Sequence, residues 1–175
     1  MKANFFFFVI LFLSLGFQKI GAQAEVVVEV TTNVNQFSCE CKGLSREHLS
    51  KYESYHEILI PVANFDCPKK MMERDLLKLF EADKFPEIQL FLEPQSINSK
   101  ALSVKIAIRI KEILHKYEVN LVKIIEDKQA FYIGSQVISL DNYGLEPPTK
   151  ALGFVKVRDH VNIKFKIPVH FLAQP

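Results

Sequence analysis

Cysteine and histidine are the side chains of this sequence that could carry covalent or metal chemistry, and their spacing supports neither. The three cysteines form no Cys-x-x-Cys pair, and the five histidines are scattered without a His-x-x-His or His-Glu-x-x-His motif. The sequence also lacks the Gly-x-Ser-x-Gly motif, and its six glycines form no phosphate-binding loop. We therefore predict no catalytic residue, no metal ion and no cofactor, and we predict that the protein is not an enzyme.

The cysteines are better suited to a disulfide. Cys39 and Cys41 are two residues apart on a predicted strand, which places their Cα atoms about 6.5–7 Å apart, at or past the limit for bonding to each other. A bond from one of them to Cys67 is easier, and we predict the pair Cys39–Cys67, with Cys41 as the open alternative partner. The unpaired cysteine should then be a buried, inert thiol.

His115 and Tyr117 are polar residues in an apolar pattern. Both alternate with Ile113, Val119 and Leu121, so all five side chains should point to the interior. One interpretation is a core histidine that bonds to a neighbouring hydroxyl or carbonyl group. The other is a polar contact for the head group of a ligand inside an apolar lumen.

The N-terminus has the pattern of a signal peptide. Lys2 precedes an apolar run over residues 5–17, and Ala22-Gln23-Ala24 is an A-x-A cleavage site. We predict a signal peptide over residues 1–24, cleaved near Ala22–Ala24, and one mature domain over residues 25–175. No second apolar run approaches the ~18 residues of a membrane span, so we expect no integral membrane segment after cleavage.

The charge of the predicted mature chain is balanced. Lys2 and Lys19 leave with the signal peptide, so 20 of the 22 Lys and Arg residues remain against 20 Asp and Glu residues. Phosphate binding needs a clustered basic face, which the sequence does not show. We therefore predict no nucleic-acid partner.

One segment predicts a helix. Met72, Leu76, Leu79 and Phe80 fall on one side of a 3.6-residue period. After Phe85-Pro86 the period changes to two, and Ile88, Leu90 and Leu92 alternate as in a strand. This short amphipathic helix is the only one that the periodicity predicts.

The remaining ordered segments read as strands. Apolar residues alternate with polar ones over long stretches between residues 102 and 140, with a tight turn at residues 126–128. We also predict a final hairpin, Phe154–Val157 with Val161–Phe171, around Arg158-Asp159-His160. About eight antiparallel strands form a sandwich or a closed barrel. A barrel is favoured because closure removes the exposed edges of such long strands.

Alternation also predicts which side chains point into the barrel. We expect the following residues to line its lumen and to be candidates for ligand binding: Phe37, Leu90, Val104, Ile106, Ile108, His115, Tyr117, Val119, Phe131, Ile133 and Phe165. A barrel of about eight strands either fills with side chains or holds one small ligand. The residue pattern alone fits both outcomes.

Three segments resemble the YceI-like family, the exported lipocalin-like proteins known for binding polyisoprenoids. They are Asn33–Cys39, the stretch from Met72 through Arg74-Asp75 to Ala82–Ile88, and Leu145–Pro148 leading to Gly153–Asp159. The resemblance covers nearly the whole mature chain. It implies an all-β antiparallel lipocalin-like barrel, capped by the short helix, with an elongated apolar pocket, in a bacterial periplasm.

Two features qualify the resemblance. The Cys39/Cys67 pair resembles a cysteine-containing branch of the family. Between the two long central strands the family commonly has a Gly-x-Thr/Ser-Lys segment, whereas this chain has Arg109–Lys116. The resemblance therefore predicts the fold of this chain better than it predicts the ligand.

The first functional hypothesis is binding or sequestration of a long apolar lipid, such as a polyisoprenoid or an isoprenoid quinone-like ligand. Burying one prenyl unit is worth roughly 3 kcal/mol. Four or more units would therefore support micromolar binding without a strong polar contact. The alternative is a structural or protein-interaction module with a filled barrel and no ligand, whose loops (42–54 and 141–150) meet a partner.

Overall fold

The computed structural model describes residues 22–47, 55–95, 99–147, 149–150 and 155–173. Within these ranges the chain forms ten strands, two helices and two 3₁₀ turns (Val62–Asn64 and Asp141–Tyr143). The strands are β1 (Ala24–Thr32), β2 (Gln36–Leu44), β3 (Arg46–Glu47), β4 (His56–Pro61), β5 (Glu87–Leu92), β6 (Ala101–Ile110), β7 (Ile113–Glu126), β8 (Gln129–Ser139), β9 (Thr149–Lys150) and β10 (Val155–Pro168). The helices are α1 (Lys70–Leu79) and α2 (Val169–Leu172).

The strands form one antiparallel sheet in the order β2-β1-β10-β8-β7-β6-β5-β4-β3, with β9 paired to β10. Its two edge strands, β2 and β3, are separated in sequence by Ser45 alone. The chain therefore passes directly from one edge of the sheet to the other, and the sheet curls into a barrel. Glu40 and Asp66 add an isolated antiparallel bridge between β2 and the segment after β4. The predicted lipocalin-like antiparallel barrel with a capping helix is confirmed.

The side chains of each strand alternate between the inside and the outside of the barrel, so the inward ones form one core. Inward positions along the strands are buried, as at Ile58, Leu92 and Val104. The predicted tight turn joins β7 to β8 through Asp127 and Lys128, which have φ of 49° and 64°. Positive φ at both central residues is the geometry of a two-residue hairpin turn that matches the strand twist.

The predicted final hairpin is wrong, because β10 runs without a turn from Val155 to Pro168. Its register against β1 shifts instead: Val30 pairs with Val161, but Thr32 pairs with Val157. Two extra residues of β10 are therefore accommodated as a bulge. The polar segment around residue 159 stays in the sheet because the Leu140 N–H donates to its carbonyl oxygen at 3.0 Å.

A second, four-residue helix, which the periodicity did not predict, follows the last strand. The last strand ends at Pro168, and Val169–Leu172 form α2 instead of continuing the strand to Phe171. Proline has no N–H for a further ladder bond, so the strand ends there. Pro168 pairs with Phe131, at the start of β8, whereas α1 lies near the other end of that strand. The two helices therefore lie at opposite ends of the barrel.

Several predictions fall partly on residues outside the described ranges. They are most of the signal peptide (1–21), residues 48–54 of the predicted loop, and residues 151–154 near the start of the predicted final hairpin. Ala24, at the predicted cleavage site, is buried and begins β1. Among the helices that the structure describes, none is long and apolar enough to span a bilayer.

Candidate functional site

A cavity of about 330 Å³ lies inside the barrel beneath α1. This volume is at the lower end of the ~300–1,000 Å³ typical of small-molecule sites. Its walls come from several strands, and the residues that the structure places there are Val26, Val28, Val30, Phe37, Cys39, Ile60, Ile88, Leu90, Ile108, Ile110, Ile138, Leu140, Val155, Val157, Val161, Ile163 and Phe165. These residues are almost all aliphatic or aromatic, whereas the charged residues of the lining, Lys69 and Asp75, lie at the start of α1 and within it. The cavity therefore favours an apolar occupant.

Strand pairing explains the continuous apolar wall. Val26, Val28 and Val30 alternate along β1, and they pair with Phe165, Ile163 and Val161 of β10. Paired residues of antiparallel strands point to the same face. Three cross-strand pairs therefore form one side of the cavity.

Helix α1 covers the cavity as a lid. Met72, Leu76, Leu79 and Phe80, the four residues that predicted the helix, all line the cavity. No residue within α1 itself is fully buried, and Phe80 is buried immediately after its last turn. The lid is therefore only partly packed into the core.

The mouth of the cavity lies between the β1–β2 turn and the start of α1. Val34 and Met71 are 66% and 48% exposed, yet both line the cavity. The Thr32 hydroxyl lies at the same place, 2.7 Å from the side-chain oxygen of Asn35, and it accepts the Asn35 N–H at 2.9 Å. Together with Lys69, these residues make the mouth more polar than the interior.

The predicted lumen residues divide into three groups. Phe37, Leu90, Ile108 and Phe165 line the cavity. A second group faces the interior but packs away from the cavity, in the solid part of the core: Val104, Ile106, Tyr117 and Val119. His115, Phe131 and Ile133 lie neither in this core cluster nor on the cavity wall.

His115 and Tyr117 make structural contacts with the 3₁₀ turn that follows β8. The His115 Nε2–H donates to the carbonyl oxygen of Asn142 at 3.0 Å, and its ring meets the Tyr143 ring edge-on at 4.9 Å. The hydroxyl groups of Tyr117 and Tyr143 are 3.0 Å apart. Burial, together with the hydrogen bond that it shares with Tyr117, raises the pKa of the Tyr143 phenol. These contacts match the interpretation in which a neighbouring carbonyl or hydroxyl group satisfies each side chain, although His115 lies outside the core cluster.

The prediction that Phe131 and Ile133 point into the lumen is wrong. Ile133 is 37% exposed, and the Lys166 ammonium lies 4.9 Å from the centre of the Phe131 ring. The inward residues of β8 are the alternate ones, such as Tyr132 and Ile138, which are buried in the core. Both faces of this strand carry apolar residues, so alternation could not distinguish them.

Among the residues that line the cavity, the valines of β1 and the two residues at and just after the end of β8 were not predicted. Val26, Val28 and Val30 alternate with Glu25 and Glu29, which is a signal that could have identified them. Ile138 and Leu140 gave no such signal, because apolar residues occur on both faces of their strand.

The predicted disulfide between Cys39 and Cys67 is confirmed. Glu40 bridges Asp66 in antiparallel register, which places Cys39 directly opposite Cys67. Cys41 is a free thiol, fully buried, and its burial raises its pKa. In the part of the chain that the structure describes, no group of three or more His, Cys, Asp or Glu side chains could hold a metal ion.

Comparison with known proteins identifies the family. A family model described as the YceI-like domain matches residues 15–169. The chain belongs to the YceI-like family. No curated protein matches the sequence significantly.

Solved structures of similar fold include BcnA of Burkholderia cenocepacia, which is 16% identical, with a TM-score of 0.64 over 82% of this chain and 94% of that one. A polyisoprenoid-binding domain from Saccharophagus degradans is 9% identical, with a TM-score of 0.65 over 83% of this chain and 94% of that one. The YceI protein of Campylobacter jejuni is 12% identical, with a TM-score of 0.52 over 79% and 82% of the two chains. At these identities the likeness concerns the fold.

Proposed function

We propose that this YceI-like protein binds an apolar lipid of the polyisoprenoid type in the cavity beneath α1, as a periplasmic carrier or sequestering protein and not as an enzyme. The observation that carries the proposal is the continuous apolar wall of a cavity of about 330 Å³. The fold shared with a polyisoprenoid-binding domain supports it. The Cys39–Cys67 disulfide is consistent with an oxidising compartment, as is the predicted signal peptide.

The distribution of polar groups suggests how such a ligand lies. The deep wall, for example Leu90, Ile108 and Phe165, is apolar, whereas Thr32 and Lys69 lie at the mouth. Burial of the chain is worth about 0.8 kcal/mol per CH₂ group, so the apolar end occupies the interior. The polar end stays at the mouth, where water and polar side chains hydrogen-bond to it.

Burial energy sets the size of ligand that binds usefully. Association costs ~4–15 kcal/mol before any net affinity is gained. At roughly 3 kcal/mol per prenyl unit, four units are needed for micromolar binding. The cavity is at the small end of ligand sites, so part of a chain of this length lies along the mouth beside Met71 and Val34.

The first test is to identify what the protein carries. Protein purified from its own host under non-denaturing conditions should release an isoprenoid lipid that mass spectrometry of the organic extract detects. The second test is direct titration with geranylgeraniol, a four-unit isoprenoid alcohol, followed by native mass spectrometry. Repeated absence of co-purifying lipid together with no geranylgeraniol complex would contradict the proposal.

The alternative of a filled barrel with no ligand predicts a solid interior. The cavity weighs against it, because a barrel that serves only as a scaffold has no need of an unfilled apolar space, which costs packing energy. The lipid-binding proposal accounts for the cavity directly.

A further inference from the structure

We propose that the Cys39–Cys67 disulfide regulates access to the cavity by holding the N-terminal end of α1 over it, so that reduction of the disulfide opens the site and weakens lipid binding. This regulation acts on the lipid site and therefore rests on the proposed function.

The disulfide joins the lid to the wall that it covers. Cys39 lies on β2 and lines the cavity, while Cys67 comes three residues before Lys70, the first residue of α1. Between Cys67 and the helix are Pro68 and Lys69 alone. A covalent bond therefore fixes the start of the lid within a few ångströms of the cavity wall.

The two ends of α1 are attached differently. Beyond its C-terminal end, Phe80 is buried in the core and the Glu81 carboxylate bonds to the Lys111 ammonium at 2.6 Å. Near its N-terminal end, the Cys67 N–H lies 3.4 Å from a Glu73 carboxylate oxygen, at the long limit of a hydrogen bond. The helix N-cap makes no side-chain bond. The Asp66 backbone, just before Cys67, is also bonded to Glu40 of β2 at 2.8 and 2.9 Å. Once the disulfide is cut, these two bonds still hold residue 66, and residues 67–69 become the released connection to the N-terminal end of α1.

Movement of the N-terminal end of α1 away from the barrel would change the mouth of the cavity. Met71 and Met72 belong to the first turn of α1, and both line the cavity. Met71 and Val34 are both exposed and both line the cavity. Rotation of α1 about its C-terminal attachment therefore widens the mouth and removes apolar contacts from a bound chain.

The redox step is a thiol–disulfide exchange with a dithiol reductant. The thiolate of the reductant attacks one sulfur, forms a mixed disulfide and releases the other cysteine as a thiolate, which takes up a proton. The second thiol of the reductant then displaces the first cysteine, so two electrons pass to the protein and the reductant becomes a disulfide. Cys67 is 8% exposed and Cys39 less, so attack at Cys67 is favoured. Cys41 is fully buried, which keeps its thiol out of the exchange.

The coupling must be reciprocal. If reduction lowers the affinity for a lipid by some factor, a bound lipid shifts the equilibrium of the disulfide toward the oxidised form by the same factor. Coupling between two sites commonly lies between about 5-fold and 150-fold. A change within that range is expected in both directions.

The experiment compares three proteins: the oxidised wild type, the double variant Cys39→Ser with Cys67→Ser, and the control variant Cys41→Ala. The dissociation constant for geranylgeraniol is measured by native mass spectrometry. The double variant should bind about 5- to 150-fold more weakly than the wild type, whereas the control should bind like the wild type. Equal affinity in all three overturns the regulation and leaves lipid binding intact. No binding by the oxidised wild type means that the proposed function itself fails.

A second measurement on the wild-type protein tests the proposal even if the double variant does not fold. Wild-type protein is equilibrated with mixtures of reduced and oxidised dithiothreitol, with and without geranylgeraniol, and the reduced fraction is determined by thiol alkylation. The lipid should shift the equilibrium toward the disulfide, and no shift overturns the proposal. Hydrogen exchange of the reduced protein should accelerate across residues 70–79 while β6 and β7 stay protected. Acceleration throughout the barrel would show unfolding instead of lid opening, and would equally overturn it.

Discussion

Substitution of Val161 by phenylalanine should fill the cavity and abolish tight lipid binding. Val161 is 5% exposed, lines the cavity, and lies on β10 between Val30 and Ile138, which line it too. Phenylalanine carries four more side-chain carbons than valine, and these would occupy space that the ligand needs. Displacing four ligand carbons at ~0.8 kcal/mol each costs about 3 kcal/mol, or roughly a 150-fold weaker dissociation constant.

Val104→Phe is the matched control. Val104 is a valine that faces the same interior, but it is 0% exposed and does not line the cavity. Extra carbons there have no empty space, so overpacking should destabilise the barrel by about 1–3 kcal/mol. Val161→Phe should change the free energy of unfolding less than the control does. The lipid affinity of Val104→Phe should stay near that of the wild type, provided that the protein remains folded.

Two assays separate the effects of the two variants. Urea unfolding followed by circular dichroism gives the free energy of unfolding, and titration with geranylgeraniol gives the dissociation constant. The reasoning is refuted if Val161→Phe binds the lipid as tightly as the wild type. It is refuted equally if Val104→Phe loses as much affinity as Val161→Phe while folded, since the binding site would then extend into the solid part of the core.

Three further predictions concern stability and reactivity. The Cys39–Cys67 disulfide has a sequence separation of 28. Its removal should lower the free energy of unfolding by about 3.6 kcal/mol and the melting temperature by roughly 7–14 °C. Thermal unfolding with and without reductant measures this change, and an unchanged melting temperature would contradict the prediction. Gly134→Ala should cost about 1–3 kcal/mol in urea unfolding, because its Cβ would lie 2.5 Å from a Leu121 methyl carbon; a neutral result would mean that the two strands separate easily. Cys41 should resist iodoacetamide at pH 8 in the native state and react after denaturation, because burial raises the pKa of its thiol and lowers the thiolate fraction at that pH. Rapid native alkylation, detected by mass spectrometry, would show that this part of β2 opens.

The sequence predicted the elements of the barrel well where one face of a strand or helix is polar. Along β6, alternation with Ser103 and Lys105 identified Val104 and Ile106 as interior residues, and both are buried. The apolar face of α1 was predicted for the same reason. In β8 apolar side chains occur on both faces, and Ile133 was placed on the wrong one.

Periodicity alone could not predict which cysteine bonds to Cys67. Cys39 and Cys41 share one face of β2, so either could meet Cys67 as far as the sequence tells. The antiparallel bridge between Glu40 and Asp66 decides the partner, because its register places residue 39 opposite residue 67. Register between distant segments depends on how the whole sheet curls, which no local pattern encodes.

By itself the sequence determined the all-β class, the position of the lid helix and most of the side chains that turn inward, because these follow from the spacing of apolar residues within single segments. Only the tertiary structure decided which inward side chains surround empty space. Phe37, Leu90, Ile108 and Phe165 line the cavity, while Val104 and Val119, equally apolar and equally inward, pack into solid core. The difference arises because a void is a property of the distances between strands and lid, and not of any one residue's hydrophobicity.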